Sequence, residues 1–104
     1  MPPQSATVLE MVSFRLVPGT EPAGFVTLAK ATEPLLRRQP GYVSRRLVHS
    51  PDGLWTDIVE WASLDAALTA ARVVPADPGF APFVAAIDMA TVSMAHPALA
   101  WRMD

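Results

Sequence analysis

The segment that most constrains the fold is the run from Thr7 to Val17, which reads TVLEMVSFRLV. It is rich in β-branched and apolar residues, contains neither glycine nor proline, and ends at Pro18-Gly19. These properties predict a β-strand. Because apolar side chains occur on both of its alternating faces, the strand is expected to be buried on both sides.

Two helices are predicted along the chain. The first begins at Thr20, a capping residue, and ends at Pro40-Gly41. Pro34 interrupts its apolar face and removes a backbone hydrogen bond, which predicts a kink or two abutting helices. The second helix begins after Ser63, whose hydroxyl is suited to cap it, and ends near the next proline.

The remaining segments predict strands. Tyr42 to Ser50 and Leu54 to Ala62 flank the short loop Pro51-Asp52-Gly53, a pattern typical of a β-hairpin. Thr91 to His96 predicts the last strand, and a short helical stripe precedes it, formed by Phe80, Phe83, Val84 and Ile87. This order predicts an α+β fold, the ferredoxin-like βαββαβ sandwich, with a four-stranded antiparallel sheet and helices on one face. The other face is bare yet apolar, which predicts a homodimer.

Composition limits the functions of such a chain. Its 104 residues fit one domain, with residues 1–6 and 98–104 predicted as tails. Hydrophobic residues make up 51% and charged residues 17%, so a partner subunit or a ligand pocket is expected to hide apolar surface. A net charge of -2 offers no basic patch for nucleic acid. Without cysteine, and with two histidines outside any metal-ligand spacing, we expect no metal site.

The sequence also carries an expectation about location. No apolar run reaches the length of a membrane span, and the first residues lack the pattern of a signal peptide. We therefore expect a cytoplasmic protein that does not associate with a membrane.

The hairpin loop predicts which side chains share a face of the sheet. If Ser50 pairs with Leu54, one face carries the opposed pairs His49 and Trp55, Leu47 and Asp57, Arg45 and Val59, and Val43 and Trp61. The opposite face then carries Tyr42 together with Arg46 and Glu60, which are predicted to form an ion pair.

Three charged residues are expected to meet between the first of these faces and the helices. Glu10 alternates with large apolar residues in the first strand, which places it on the same side as Arg45 and Asp57. Two carboxylates beside one arginine can separate their pKa values, one ionised by the arginine and one raised by burial. Glu10, Arg45 and Asp57 are therefore the candidate catalytic residues. The alternative is a structural ion network, since such networks also form in protein interiors.

The candidate substrate-binding residues surround the same space. They are Val12, Phe14, His49, Trp55, Val59, Trp61 and Phe83. In this hypothesis Trp55 and Trp61 form an aromatic wall, and the alternative is that both are core residues. For His49, next to the hairpin loop, the alternative is a position on the surface rim. His96 lies at a strand end.

The sequence resembles the dimeric α+β barrel superfamily and, within it, the antibiotic biosynthesis monooxygenase-like (ABM) domains. The resemblance covers roughly residues 7–97 and rests on VLEMVSFRLVPG, LLRRQPGYVSRRL, PDGLWTDIVEWASLDAA, DPGFAPFVAAID and SMAH. It implies a homodimer whose two sheets form a barrel, with a small apolar or aromatic ligand between sheet and helices of each subunit. It also implies that no cofactor is needed, because a deprotonated aromatic phenol can itself reduce oxygen.

Departures from the superfamily narrow its implied activities, which include oxygenation of aromatic polyketides, haem degradation, polyketide cyclisation, lactone isomerisation and chlorite chemistry. Haem-degrading members carry an Asn, Trp and His triad, whereas this chain has no asparagine and has Thr69 and Ala70 where the tryptophan would stand. Polyketide cyclases carry a histidine after the second helix, where this chain has Pro75-Ala76-Asp77-Pro78. The resemblance favours cofactor-free oxygenation of an aromatic or polyketide-like substrate.

Two alternatives of other classes stay open. One is a non-catalytic ligand-binding or structural dimer, and the other is an isomerase, cyclase or lyase on the same fold. A cavity of about 300 Å³ or more beside Glu10, Arg45 and Asp57 would favour an enzyme. Complete pairing of the three residues without such a cavity would favour the structural alternative.

Overall fold

The computed structural model describes residues 7–104, so the predicted tail over residues 1–6 lies outside the described residues. Its elements, in chain order, are β1 (Val8–Leu16), α1 (Pro22–Ala31), α2 (Glu33–Arg37), β2 (Tyr42–His49), β3 (Trp55–Trp61), α3 (Leu64–Val73), α4 (Ala81–Ala85) and β4 (Ile87–Ala95). Two 3-10 turns, Val74–Ala76 and Pro78–Phe80, connect α3 to α4. Over the described range, no helix has the length and apolar character needed to cross a membrane.

The four strands form one antiparallel sheet in the order β2-β3-β1-β4. This order confirms the predicted ferredoxin-like α+β fold. β1 lies inside the sheet, between β3 and β4, and the helices cover one of its faces. Its side chains Val8 and Phe14 are 5% and 1% exposed on that covered face.

The helix boundaries follow the local chemistry of the sequence. The predicted break at Pro34 is confirmed, because α1 ends at Ala31 and α2 begins at Glu33. The predicted cap of α3 is also confirmed, since the Ser63 hydroxyl accepts a hydrogen bond from the Ala66 amide at 3.1 Å. At α1 the cap position is one residue later than predicted, because Pro22 occupies the first helical position.

The hairpin register is confirmed from Arg45 to His49. A bulge between Tyr42 and Ser44 then shifts the pairing, so that Tyr42 and not Val43 lies opposite Trp61. The predicted faces of these two residues are therefore wrong. The Tyr42 ring packs edge-on against the Trp61 ring at 6.0 Å, whereas Val43 is 48% exposed.

β4 begins earlier than predicted. Ile87 was assigned to a helical stripe, but it pairs with Leu16 as the first residue of β4. The four-residue spacing of Phe83 and Ile87 resembles one face of a helix because Phe83, on α4, and Ile87, on β4, are buried in the same cluster. A helical period and the start of a buried strand look alike over so short a run.

The segment after β4 lies along the sheet. Ala98 bridges to Val8, and the Leu99 amide donates to the Thr7 carbonyl at 2.8 Å. Further on, the Arg102 guanidinium donates to both carboxylate oxygens of Glu60, which is 6% exposed on the face away from the helices. Glu60 thus pairs with Arg102 and not with Arg46, the partner predicted from the hairpin.

Candidate active site

Two apolar clusters fill the space between the sheet and the helices. One gathers Trp61 and Val59 against α2 and α3, and the other gathers Phe14, Trp55 and Phe83 against α1 and α4. A cavity of about 230 Å³ lies between them, and both clusters contribute to its wall. The candidate site is thus a gap in the core, in the layer where the resemblance implied a ligand.

Most of the predicted substrate-binding residues lie on the wall of this cavity. They are Val12, Phe14, Val59, Trp61 and Phe83. The sequence reasoning missed the contributions of Ala70 on α3, of Val74 in the following 3-10 turn and of β4 (Met89, Val92 and Met94). The alternation of Val92, Met94 and His96 along the last predicted strand was the signal that could have placed β4 beside the site.

Two predicted substrate-binding residues lie elsewhere. Trp55 belongs to the second cluster, where the Phe25 ring packs edge-on against it at 4.9 Å. The exposed His49 ring stacks on the outer part of Trp55 at 4.5 Å. Among residues 7–104, neither is part of the cavity wall. Phe25 of α1 fills the space beside Trp55, which makes Trp55 a core residue.

Arg45 and Asp57 form a closed ion pair on the cavity wall. Arg45 Nε donates to Asp57 Oδ1 at 2.9 Å and Nη2 donates to Oδ2 at 2.7 Å, a bidentate geometry. Nη1 donates to Thr32 Oγ1 at 2.7 Å, and the guanidinium carbon lies 5.3 Å from the centre of the Phe83 ring. The two side chains are 12% and 10% exposed. Because both charged groups are buried and paired with each other, the pair has the features of a structural ion network. It also lies on the cavity wall.

Glu10 lies apart from that pair, although it lines the same cavity. Within the described part of the chain, no hydrogen bond or ion pair joins it to Arg45 or Asp57. Its Oε1 accepts from the Trp61 indole Nε1 at 3.4 Å, and its Oε2 lies 3.5 Å from His96 Nε2. Three residues predicted to converge therefore form two separate polar units.

The size of the cavity constrains its occupant. At about 230 Å³ it does not reach the roughly 300 Å³ at which ordinary ligand pockets begin, so the volume expected above for an enzyme is not met. It is larger than an apolar cavity of about 150 Å³ that takes up benzene. Across residues 7–104, no group of three or more histidine and acidic side chains is arranged to hold a metal ion. The site therefore suits an aromatic molecule of about two rings.

Comparisons with known proteins address the fold. No protein-family model and no curated protein matches the chain. SnoaB, a cofactor-independent oxygenase from Streptomyces nogalater, is 27% identical with a TM-score of 0.62, over 95% of this chain and 96% of SnoaB. A candidate antibiotic biosynthesis monooxygenase from Bordetella bronchiseptica is 18% identical with a TM-score of 0.79, over 92% and 99% of the two chains. Rv0793 from Mycobacterium tuberculosis is 18% identical with a TM-score of 0.64, over 95% and 100%.

Proposed function

We propose that this chain, which has the antibiotic biosynthesis monooxygenase fold, oxygenates a small aromatic or polyketide-like molecule without a cofactor. The observation that carries the proposal is the apolar cavity between sheet and helices, with the Glu10 carboxylate on its wall. Apolar enclosures with a few placed polar groups are typical small-molecule sites. The likeness to a cofactor-independent oxygenase supports the same class of reaction.

In this proposal Glu10 is the general base. Both oxygens of Asp57 accept hydrogen bonds from Arg45, whereas Oε2 of Glu10 accepts none within residues 7–104. A phenolic substrate beside Trp61 and Phe83 loses its hydroxyl proton to Glu10. The guanidinium of Arg45 stabilises the negative charge that develops on the substrate oxygen, while Asp57 holds Arg45 in place.

The substrate supplies the electrons for the reaction. The deprotonated ring transfers two electrons to molecular oxygen, and a carbon–oxygen bond forms at a ring carbon ortho or para to the hydroxyl group, which in an anthrone is the methylene carbon. Loss of one water molecule leaves a carbonyl group at that carbon, so that a phenol and O2 yield a quinone and H2O. The atoms and electrons balance without a flavin, a haem or a metal ion.

Oxygen uptake tests this proposal directly. The purified protein is supplied in turn with anthrones, hydroquinones, catechols and dihydroxynaphthalenes, and the consumption of oxygen is compared with the formation of product by mass spectrometry. We expect stoichiometric uptake with at least one compound, and a preference for substrates of about two rings over larger ones because of the cavity volume.

A cavity-filling variant links the activity to this site. Ala70 is 3% exposed and lines the cavity, whereas its neighbour Thr69 is exposed on the outer side of α3. Ala70→Phe should lower oxygen uptake more than tenfold while the protein stays folded, and the control Thr69→Phe should leave it unchanged. Equal activity in all three proteins would overturn the assignment of the site.

The other classes of function give different outcomes in the same assay. Substrate turnover without oxygen uptake would identify an isomerase, cyclase or lyase and would overturn the oxygenase proposal. Binding of the aromatic compounds without any turnover would identify a ligand-binding protein, again against the proposal.

We also propose that the protein is a homodimer, with the sheet faces stacked as an α+β barrel. Leu9, Met11 and Ile58 are only partly buried on the face away from the helices, and Val48 there is 48% exposed. Burying such a surface in a symmetric contact is favourable. Sedimentation velocity at micromolar concentration should give the mass of a dimer, and a stable monomer would contradict this arrangement.

A further inference from the structure

The imidazole of His96 faces the carboxylate of Glu10 without completing a hydrogen bond. His96 Nε2 is buried and has no hydrogen-bond partner among residues 7–104, yet it lies only 3.5 Å from Glu10 Oε2. The other carboxylate oxygen is held by the Trp61 indole N–H. Buried polar atoms without a partner are rare in native proteins, and each calls for a physical explanation.

The chemistry of the Glu10 carboxylate and the His96 imidazole supplies a physical explanation. An ionised carboxylate has only acceptor sites, and an unprotonated imidazole nitrogen is an acceptor as well. Two acceptors that face each other in a low-dielectric interior are unfavourable until a proton comes between them. A single added proton turns the contact between Glu10 and His96 into a charge-assisted hydrogen bond. The arrangement is therefore suited to receive one proton.

We propose that His96 is a proton relay that carries the substrate proton from Glu10 to solvent. This inference rests on the proposed function, in which Glu10 is the general base. The relay starts from the neutral tautomer of His96 that carries its proton on Nδ1. Glu10 takes the phenolic proton and passes it to His96 Nε2, and Nδ1 then releases its own proton to water. After the product leaves, proton exchange with water returns the ring to the Nδ1–H tautomer. One proton enters, one leaves, and no electron moves in the relay.

Burial favours this direction of transfer. The Glu10 side chain is 11% exposed and lines the cavity, whereas the His96 side chain is 20% exposed and lies just beyond the end of β4. The relay restores the Glu10 carboxylate for the next turnover.

Steady-state kinetics test the relay with the substrate found by oxygen uptake. His96→Ala should lower kcat at least about tenfold and leave KM nearly unchanged, since His96 lies outside the cavity wall. Added imidazole should restore part of the lost rate, which a purely structural role of His96 would not allow. His49→Ala is the matched control, because His49 is exposed and stacked on Trp55. Wild-type rates in His96→Ala, or no rescue by imidazole, would overturn the relay.

A second measurement does not depend on turnover. 4-Nitrophenol is added to the protein in buffer below the pKa of the free probe, and the imidazole ¹⁵N resonances are recorded by NMR. We expect the resonances of His96 to become those of the neutral tautomer protonated on Nε2, while those of His49 stay unchanged, and we expect Glu10→Gln to abolish the effect.

The two measurements separate the relay from the proposed function. An unchanged His96 spectrum in the presence of the probe would contradict the relay whatever the reaction is. Conversely, the same change of tautomer at His96 in a protein that consumes no oxygen would leave the relay intact and refute the oxygenase. Normal oxygen uptake by His96→Ala would refute the relay alone.

Discussion

Removal of the Asp57 carboxylate gives the most direct test of how the core is built. In Asp57→Ala, the guanidinium of Arg45 loses two hydrogen bonds of 2.9 and 2.7 Å and its only charged partner among the described residues. Thr32 Oγ1 still accepts from Nη1, but this hydroxyl carries no charge. A buried cation without a counterion is costly, because the protein interior does not replace its hydration.

The magnitude follows from the burial of the pair. Both side chains are nearly nine-tenths buried, so solvent screens them little. Breaking such a pair by removing one partner costs about 3–5 kcal/mol. A domain of this size is stable by about 5–15 kcal/mol, so the variant loses a large part of its stability. With an m-value of about 1.5 kcal/mol/M, the urea midpoint falls by about 2–3 M.

Urea unfolding followed by tryptophan fluorescence and far-UV circular dichroism measures this loss. The protein concentration is held constant, because the stability of a dimer depends on it. The double variant Arg45→Met with Asp57→Leu is the control, since replacing both charges by apolar groups of similar volume is expected to be nearly neutral. A loss below about 1 kcal/mol in Asp57→Ala, or an equal loss in the double variant, would refute the reasoning from burial.

Three further predictions concern local features of the fold. Gly41→Ala should lower the free energy of unfolding by about 2–4 kcal/mol, because Gly41 has a φ of +84° and an added Cβ would lie 2.6 Å from the Ala66 Cβ. Thermal unfolding measures this loss. Gly24→Ala is the control and should not lower the stability, since no atom lies within 4 Å of a Cβ added there. Ser63→Ala removes the hydroxyl that accepts from the Ala66 amide and should cost about 1 kcal/mol, whereas Ser63→Asp should retain most of the stability by urea unfolding. Arg102→Ala leaves the Glu60 carboxylate without its partner and should lower the free energy of unfolding by about 1 kcal/mol at low salt. The loss should be smaller at high salt, because half of the Arg102 side chain is exposed and salt screens the pair. A loss that is independent of salt would contradict an electrostatic role.

The order of strands and helices could be predicted from local signals that act over a few residues. Pro34 cannot lie in the interior of a helix but is accepted in its first turn, so it separates α1 from α2. The turn residues of the hairpin fix the register from Arg45 to His49. The bulge between Tyr42 and Ser44 could not be predicted, because the adjacent Pro40-Gly41 is already explained by the end of the preceding helix. It depends on the packing of Tyr42 against Trp61, which is a tertiary contact.

The sequence predicted which face of the sheet carries the candidate site, but not which charged residues pair with each other there. Alternation along β1 and β3 placed Glu10 and Asp57 on the covered side, and both line the cavity. The alternation of side chains along a strand does not determine which charged groups form contacts. The separation of Glu10 from the Arg45–Asp57 pair therefore could not be predicted from the sequence. His96 contacts Glu10 because β4 lies beside β1, and that neighbour relation joins residues 86 positions apart along the chain.

The position of β1 has a consequence for how the protein folds during synthesis. Val8 of β1 pairs with Trp61 on one side and is bridged to Ala98 on the other. β1 is therefore synthesised before both of the segments with which it pairs. At about 5–20 residues per second, its apolar faces remain without strand partners for seconds on the ribosome. The same delay applies to the cavity, because Met89 and Met94 belong to β4. A nascent chain that ends before β4 therefore has neither a completed sheet nor a complete cavity wall.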